Sequence, residues 1–170
     1  MDSKVALQIN QQIQKELYSA YLYLDIANYY NNAGLNGFEN WFFVQAQEER
    51  DHALLFRTFL LNNEQSISLL PLEAPAAKYG DFAAPLHAAL QHEQYITSSI
   101  HTIYETASAA KDFRSVEFLN WFIKEQGEEE KNVHDLIQKY DLFGKDPKGL
   151  YSLDQELGGR VYAAPSLVLD

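Results

Sequence analysis

The sequence contains no cysteine, only one methionine and few basic residues. Without cysteine, disulfides, zinc fingers, iron–sulfur clusters and cysteine-bound iron centres are excluded. The 13 lysines and arginines are outnumbered by 24 aspartates and glutamates, which gives a net charge of -11. This balance argues against a nucleic-acid partner bound through a basic surface. We expect a surface or cavity that attracts cations.

Long apolar runs are also missing, because no segment approaches the roughly 20 apolar residues that cross a membrane. The N-terminus, Met-Asp-Ser-Lys-Val-Ala, lacks the apolar region of a signal peptide. We therefore expect no membrane partner and a cytoplasmic location. The 170 residues, 46% of them hydrophobic, are enough for one domain with a sizeable core.

Four segments carry apolar residues at alternating steps of three and four, which predicts amphipathic helices. Their starts and ends are marked by capping residues, proline and glycine. The first predicted helix runs from a Ser3 cap to about residue 32, and the second from a capping box of Asn36 and Glu39 to about residue 64. The third has Pro85 in its first turn. The fourth runs from an Asp112 cap to Gly144.

Residues 65–82 lose the helical period and contain two prolines and a glycine. A connection of this length can travel along a whole bundle, about 40 Å for a 27-residue helix. Asp146 and Pro147 begin a short fifth helix that ends at Leu157. We predict an all-α fold, a four-helix bundle with a long crossover between helices 2 and 3 and a short fifth helix. Residues 1–157 would form this domain, and residues 158–170 a tail with no predicted structure.

One glutamate lies on the apolar stripe of each long helix. Glu49 has Phe42 seven residues before it and Phe56 seven residues after it, almost two helical turns in each direction. A carboxylate on such a face is costly unless it is paired or binds a metal. The same arrangement occurs at Glu16, Glu93 and Glu129.

These glutamates and one histidine predict a metal centre inside the bundle. His52 follows Glu49 by three residues and therefore shares its helix face. Carboxylate-bridged di-metal bundles take a Glu-x-x-His from each of two helices, but here Asn132 replaces the second histidine. We expect an asymmetric pair of sites: a first with Glu16, Glu49 and His52, and a second with Glu49 as a bridge, Glu93, Glu129 and Gln126.

The ligand types favour iron. Carboxylates and one imidazole suit Fe(II) better than a thiolate-seeking metal. Two ions about 3.5–4 Å apart can share an oxygen species, and each can give one electron to dioxygen. Tyr23 lies about two turns from Glu16 on the same face. It is placed to hydrogen-bond a ligand or lend an electron, and core packing is the alternative reading.

A second acidic group lies beside the first. Together with Glu129, it would form a third, outer metal position, or it is a solvated acidic face; both readings remain open. Its further members are Glu48, Glu125 and Glu128. The remaining histidines fit no metal-ligand spacing and are expected at the surface: His87, His92, His101 and His134.

The motifs around these residues resemble those of the bacterial non-haem ferritins, in the ferritin family. They are Glu-Leu-Tyr-Ser-Ala at 16–20, Gln-Glu-Glu-Arg-Asp-His at 47–52, His-Glu-Gln at 92–94, Glu-Gln-Gly-Glu-Glu-Glu-Lys at 125–131 and Gly-Leu-Tyr at 149–151. The likeness covers about residues 1–157 and does not extend well into the tail. It implies a ferritin-like bundle in a hollow 24-subunit shell. Such a shell oxidises Fe(II) with O2 or H2O2 and stores it as a ferric mineral.

The resemblance also implies roles for individual residues. The first ferroxidase site would use Glu16, Glu49 and His52, and the second Glu93, Glu129, Gln126 and bridging Glu49. The third iron position would use Glu48, Glu125, Glu128 and Glu129, and Tyr23 would be the tyrosine of the site. Haem is not expected, because Met1 is the only methionine. The rival functions are a non-storing di-iron oxidase or peroxide reductase, and a non-catalytic shell subunit.

Overall fold

The structure, a computed structural model, describes residues 1–169. Five helices lie within this range: α1 (Ser3–Asn32), α2 (Asn36–Asn62), α3 (Ala84–Ala109), α4 (Phe113–Phe143) and α5 (Pro147–Leu157). α1 packs along α2, α3 packs along α4, and α5 contacts the ends of α2 and α4. The predicted all-α bundle with a short fifth helix is confirmed. Asp170, the last residue of the predicted tail, lies outside the described residues.

Aspartates cap three of the helices at their N-termini. Asp2, rather than the predicted Ser3, caps α1, and its Oδ1 accepts from the main-chain nitrogens of Lys4 at 2.9 Å and Val5 at 3.2 Å. The Ser3 prediction was wrong because Ser3 is already the first helical residue. The predicted caps Asp112 and Asp146 are confirmed, since each accepts a hydrogen bond from the first turn of its helix.

The start of α2 is capped from elsewhere in the fold. The predicted capping box was wrong, because Asn36 is the first helical residue and Leu35 occupies the cap position. Instead, the buried carboxylate of Asp154 on α5 accepts from the main-chain nitrogens of Gly37 at 2.8 Å and Phe38 at 3.0 Å. A Cβ at position 37 would lie 1.6 Å from the Asp154 carbonyl oxygen, so only glycine permits this approach.

The first three helices end in the same way, with one residue in the left-handed conformation. These residues are Gly34 (φ 77°), Glu64 (φ 58°) and Lys111 (φ 55°). After α1, for example, the main-chain nitrogen of Leu35 donates to the Tyr30 carbonyl at 3.0 Å, which closes the last turn. The same closure ends α2 at Asn62, slightly before the predicted residue 64.

The crossover from α2 to α3 follows the length of α1. Near its start, the Asn10 side chain bonds both main-chain groups of Ser68, each at 2.9 Å. Near its end, the Tyr30 hydroxyl donates to the Phe82 carbonyl at 2.7 Å. Asn10 and Tyr30 are about 30 Å apart along the helix at 1.5 Å per residue. The connection therefore traverses the bundle, as the sequence predicts.

Two apolar clusters fill the two halves of the bundle. The half nearer α5 contains Tyr30 and Phe42, and the other half contains Phe56 and Phe122. The stripe glutamates lie between the two clusters, where a polar layer crosses the core. Among residues 1–169, none of the helices has the length and apolar character needed to cross a membrane.

Candidate metal centre

The polar layer places one glutamate from each long helix in the interior. Glu16, Glu49, Glu93 and Glu129 are at most 4% exposed, as their apolar stripes predict. His52, one turn after Glu49, is 2% exposed. Four acidic side chains and one imidazole thus share a region that is shielded from water, where charged side chains need partners or ions.

The first predicted set of ligands comes together. Atoms of Glu16, Glu49 and His52 lie within 4.8 Å of one another. Glu16 Oε1 accepts from Gln12 Nε2 at 2.8 Å, but within residues 1–169 its buried Oε2 has no hydrogen-bond partner. Such an atom is costly unless something binds it. It therefore marks a position that a cation fits.

The second predicted set is arranged differently. The Tyr23 hydroxyl donates to Glu93 Oε1, and Gln126 Nε2 donates to Glu93 Oε2 at 3.1 Å. Both oxygens of Glu93 thus have donors. Among the described residues, Glu93 is not part of either group of three ligand atoms lying within 4.8 Å of one another. The role of Glu93 and Gln126 as ligands stays a prediction.

The second such group contains His52, Glu125 and Glu129. His52 Nε2 lies 4.0 Å from Glu125 Oε1, and the Glu125 side chain is 28% exposed. Glu128 is 62% exposed and lies 3.9 Å from Lys124 Nζ. Of the outer carboxylates, Glu125 approaches the centre, whereas Glu128 faces solvent.

The pKa of one inner carboxyl group, that of Glu49, is lowered, whereas the pKa values of the other three are raised. Burial and the negative charge of Glu49 raise the pKa of Glu16 and of Glu129 to about 8. Burial also raises the pKa of Glu93 well above its usual range. For Glu49, burial opposes ionisation, but the hydrogen bond and charge of His52 outweigh it and lower the pKa.

His52 is the partner of that charged carboxylate. Burial disfavours the imidazolium, but the hydrogen bond and charge of Glu49 outweigh it and raise the pKa of His52 to about 10. These shifts favour a Glu49–His52 ion pair with protonated carboxyls around it when no metal is bound. A cation that binds there must displace protons.

Besides Gln126, two more buried glutamines hold inner carboxylates, and neither was predicted to belong to the site. Gln12 donates to Glu16, as described above. Gln45 Nε2 donates to Glu49 Oε1 at 3.0 Å and to Glu129 Oε2 at 2.7 Å. Each glutamine stands four residues before a stripe glutamate, the spacing at which helical side chains meet. That pairing is the sequence signal that could have found them.

His92 lies closer to the centre than expected. It is half-buried, its Nε2 lies 2.7 Å from Ser19 Oγ, and its ring meets the Tyr23 ring edge-on with centroids 6.0 Å apart. The surface expectation for His92 was therefore wrong. His87, His101 and His134 are exposed, as expected.

A buried carboxylate layer with one histidine, drawn from four helices, is typical of helical bundles that bind metal ions in their core. The family model described as Ferritin-like domain matches residues 6–143. The bacterial non-heme ferritin of Campylobacter jejuni is 33% identical over 91% of this chain and 93% of its own length. The bacterial non-heme ferritin of Staphylococcus aureus (strain USA300) is 30% identical over 91% of this chain and 93% of its own length.

Solved structures agree with the sequence relatives. An open-pore ferritin from the hyperthermophilic archaeon Archaeoglobus fulgidus has a TM-score of 0.92 and 38% identity, over 95% of this chain and 99% of its own. The chain belongs to the ferritin family. Family membership, together with the Glu16–Glu49–His52 group, supports a role in iron storage.

Proposed function

We propose that this protein is an iron-storage ferroxidase. It oxidises Fe(II) at a di-iron centre within the subunit, with O2 or H2O2 as the oxidant, and keeps the product as a ferric mineral inside a hollow 24-subunit shell. The observation that carries the proposal is the buried group of Glu16, Glu49 and His52, whose Glu16 Oε2 has no partner within residues 1–169.

The inner residues divide the work of holding the two substrate ions. Glu16, Glu49 and His52 bind the first Fe(II), and Glu49 bridges to a second held by Glu93 and Glu129, with Gln126 beside it. Tyr23 and Gln126 both donate to Glu93, so they orient that carboxylate. Gln45 donates to Glu49 and Glu129 and so holds them in place. The iron supplies the electrons, and these residues supply binding, orientation and exclusion of water.

The outer carboxylates extend this site toward the surface. We infer that Glu48, Glu125 and Glu128, with Glu129, form a third position through which iron passes. The approach of Glu125 to His52 and Glu129 supports this inference. With Glu128 facing solvent, the group forms a graded acidic path from water to the buried centre.

The test compares two isosteric variants under aerobic Fe(II) addition. Glu49→Gln removes the bridging charge, and we expect its initial rate of Fe(III) formation to fall by at least about tenfold. Glu105→Gln changes an exposed residue of α3 and serves as the control, with an expected wild-type rate. Equal rates in wild type and Glu49→Gln would contradict the proposed centre.

Particle mass and retained iron test the storage part of the proposal. A shell of 24 subunits that keeps many irons per chain after gel filtration is the expected result. A monomer or dimer that oxidises iron without retaining it would instead identify a di-iron oxidase or peroxide reductase. A full-size shell with no ferroxidase activity would identify a non-catalytic shell subunit.

A further inference from the structure

The segment after α5 folds back over the outer carboxylates. We name residues 160–169 the C-terminal strap. The Tyr162 hydroxyl donates to Asp51 Oδ2 on α2, and Trp121 Nε1 on α4 donates to Ser166 Oγ at 2.9 Å. Leu167 and Leu169 pack against the apolar cluster in the half of the bundle away from α5. The strap therefore spans the groove between α2 and α4.

Arg160 fixes the first residue of the strap. Its guanidinium lies over the Trp41 ring, 4.4 Å from the centroid, and its Nη1 donates to the Trp41 carbonyl at 3.1 Å. Its Nη2 donates to Glu48 Oε2 at 2.5 Å. An arginine remains protonated at every physiological pH. A permanent positive charge is therefore paired with Glu48, one of the four predicted ligands of the outer position.

The same guanidinium reaches the inner centre through one side chain. Arg160 Nη2 also donates to Gln45 Oε1 at 2.9 Å, which leaves the amide nitrogen of Gln45 facing Glu49 and Glu129. Gln45 is fully buried, so reversing its amide would place an oxygen against two carboxylates. Arg160 thus sets the orientation in which Gln45 can hold both of them.

Under the strap lies a chamber of about 270 Å³. Its floor includes His52, Glu125 and Glu129, and its roof is formed by residues 163–166 of the strap. This space is large enough for several water molecules or a hydrated ion. It adjoins the group of His52, Glu125 and Glu129 whose ligand atoms lie within 4.8 Å of one another.

We propose that Arg160 is a built-in cation that holds the outer position at Glu48 and closes the C-terminal strap until a divalent cation displaces it. A divalent ion and a guanidinium bound to the same carboxylate repel each other, which weakens the binding of both. An ion that binds Glu48 and Glu125 therefore competes with the guanidinium. Its departure releases the first anchor of the strap and opens the chamber at that end. This inference rests on the proposed function, because it assumes that the outer position takes the iron.

Zinc tests the inference without any oxidation. The intact oligomer is titrated with Zn²⁺ by calorimetry as wild type, Arg160→Gln, Arg160→Lys and Lys145→Gln. Lys145 pairs with Asp141 at the C-terminal end of α4. Lys145→Gln therefore removes one positive charge, as Arg160→Gln does, but leaves Glu48 and its partner unchanged. We expect Arg160→Gln to bind zinc at the outer position about fivefold or more tightly than wild type. Arg160→Lys, which keeps a cation, should recover most of the wild-type affinity, and Lys145→Gln should match wild type.

Limited proteolysis gives a second readout that a purely structural role would not change. Filling the outer position with zinc should speed tryptic cleavage after Arg160 in the wild type, because the guanidinium is released from Glu48. Adding Glu48→Gln to Arg160→Gln should remove the gain in affinity. Unchanged zinc affinity in Arg160→Gln, or tryptic cleavage after Arg160 that zinc leaves equal or slower, would overturn the proposal.

These outcomes separate the strap from the ferroxidase function. If zinc displaces the strap but Fe(II) is not oxidised, only the proposed function fails. If iron is oxidised and stored but the strap does not respond to zinc, only this inference fails.

Discussion

The carboxylate of Asp154 lies 2.8 Å from the main-chain nitrogen of Gly37, although 117 residues separate them in the chain. The same oxygen accepts from Phe38, so α5 caps α2. Both main-chain donors are buried, and an unpartnered buried N–H is costly. The docking of α5 and the start of α2 therefore depend on one side chain.

Removing this cap should destabilise the protein. We expect Asp154→Ala to lower the free energy of unfolding by about 1–2 kcal/mol, measured by thermal or denaturant unfolding. Asp154→Asn keeps an acceptor oxygen and should lose less. Gly37→Ala should be worse than either, since its Cβ would meet the Asp154 carbonyl oxygen. Equal stability of Asp154→Ala and wild type would contradict the capping role.

Two helix ends carry a side chain where glycine is preferred. Glu64 and Lys111 have positive φ, a conformation in which a Cβ is unfavourable. We expect Glu64→Gly and Lys111→Gly each to raise stability by about 0.5–1 kcal/mol, after the greater chain entropy of unfolded glycine is subtracted. Lys131→Gly, within α4, is the control and should lower stability by about 1 kcal/mol. Loss of stability in both variants would refute this expectation.

The metal-free protein should become less stable as pH rises. The folded-state pKa of Glu16 and of Glu129 is about 8 against an ordinary 4.5, and that of His52 is about 10 against 6.5. All three values are raised, so the associated stability is fully present below the unfolded values and is lost as pH rises through the folded ones. Between pH 5 and 9 the free energy of unfolding of chelator-treated protein should therefore fall by several kcal/mol, seen as a falling unfolding midpoint.

The variant Glu16→Gln isolates one of these groups. It cannot ionise, so its midpoint should fall less steeply between pH 5 and 9 than that of wild type. A divalent ion such as Zn²⁺ replaces the protons and should flatten the wild-type profile, while its affinity rises with pH because fewer protons remain to be displaced. A metal-free midpoint that rises over this range would show that the buried carboxyls are not held protonated.

The sequence predicts the inner centre because burial along a helix is a local property. The spacing of Phe42, Glu49 and Phe56 already assigns Glu49 to an apolar face, whatever the helix packs against. The same reasoning identified the glutamate on each of the other helices. The position of His52 on the same helix face as Glu49 follows from their spacing of three residues alone.

Local spacing also explains the errors. The capping box at Asn36 is plausible by sequence, but the amides that it would satisfy are bound by Asp154 of α5. His92 has no metal-ligand spacing, yet the packing of α1 against α3 brings it to Ser19 and Tyr23. In both cases the partner belongs to a different helix, and local spacing contains no information about it.

By itself, then, the sequence determined the five helices, the long crossover and which carboxylates lie inside, because helical period and capping depend on neighbouring residues. Only the tertiary structure decided the partners of those carboxylates. It turned both oxygens of Glu93 toward Tyr23 and Gln126 and placed Arg160 between Glu48 and Gln45. Such contacts join residues that are distant in the chain, and their geometry is set by how whole elements pack.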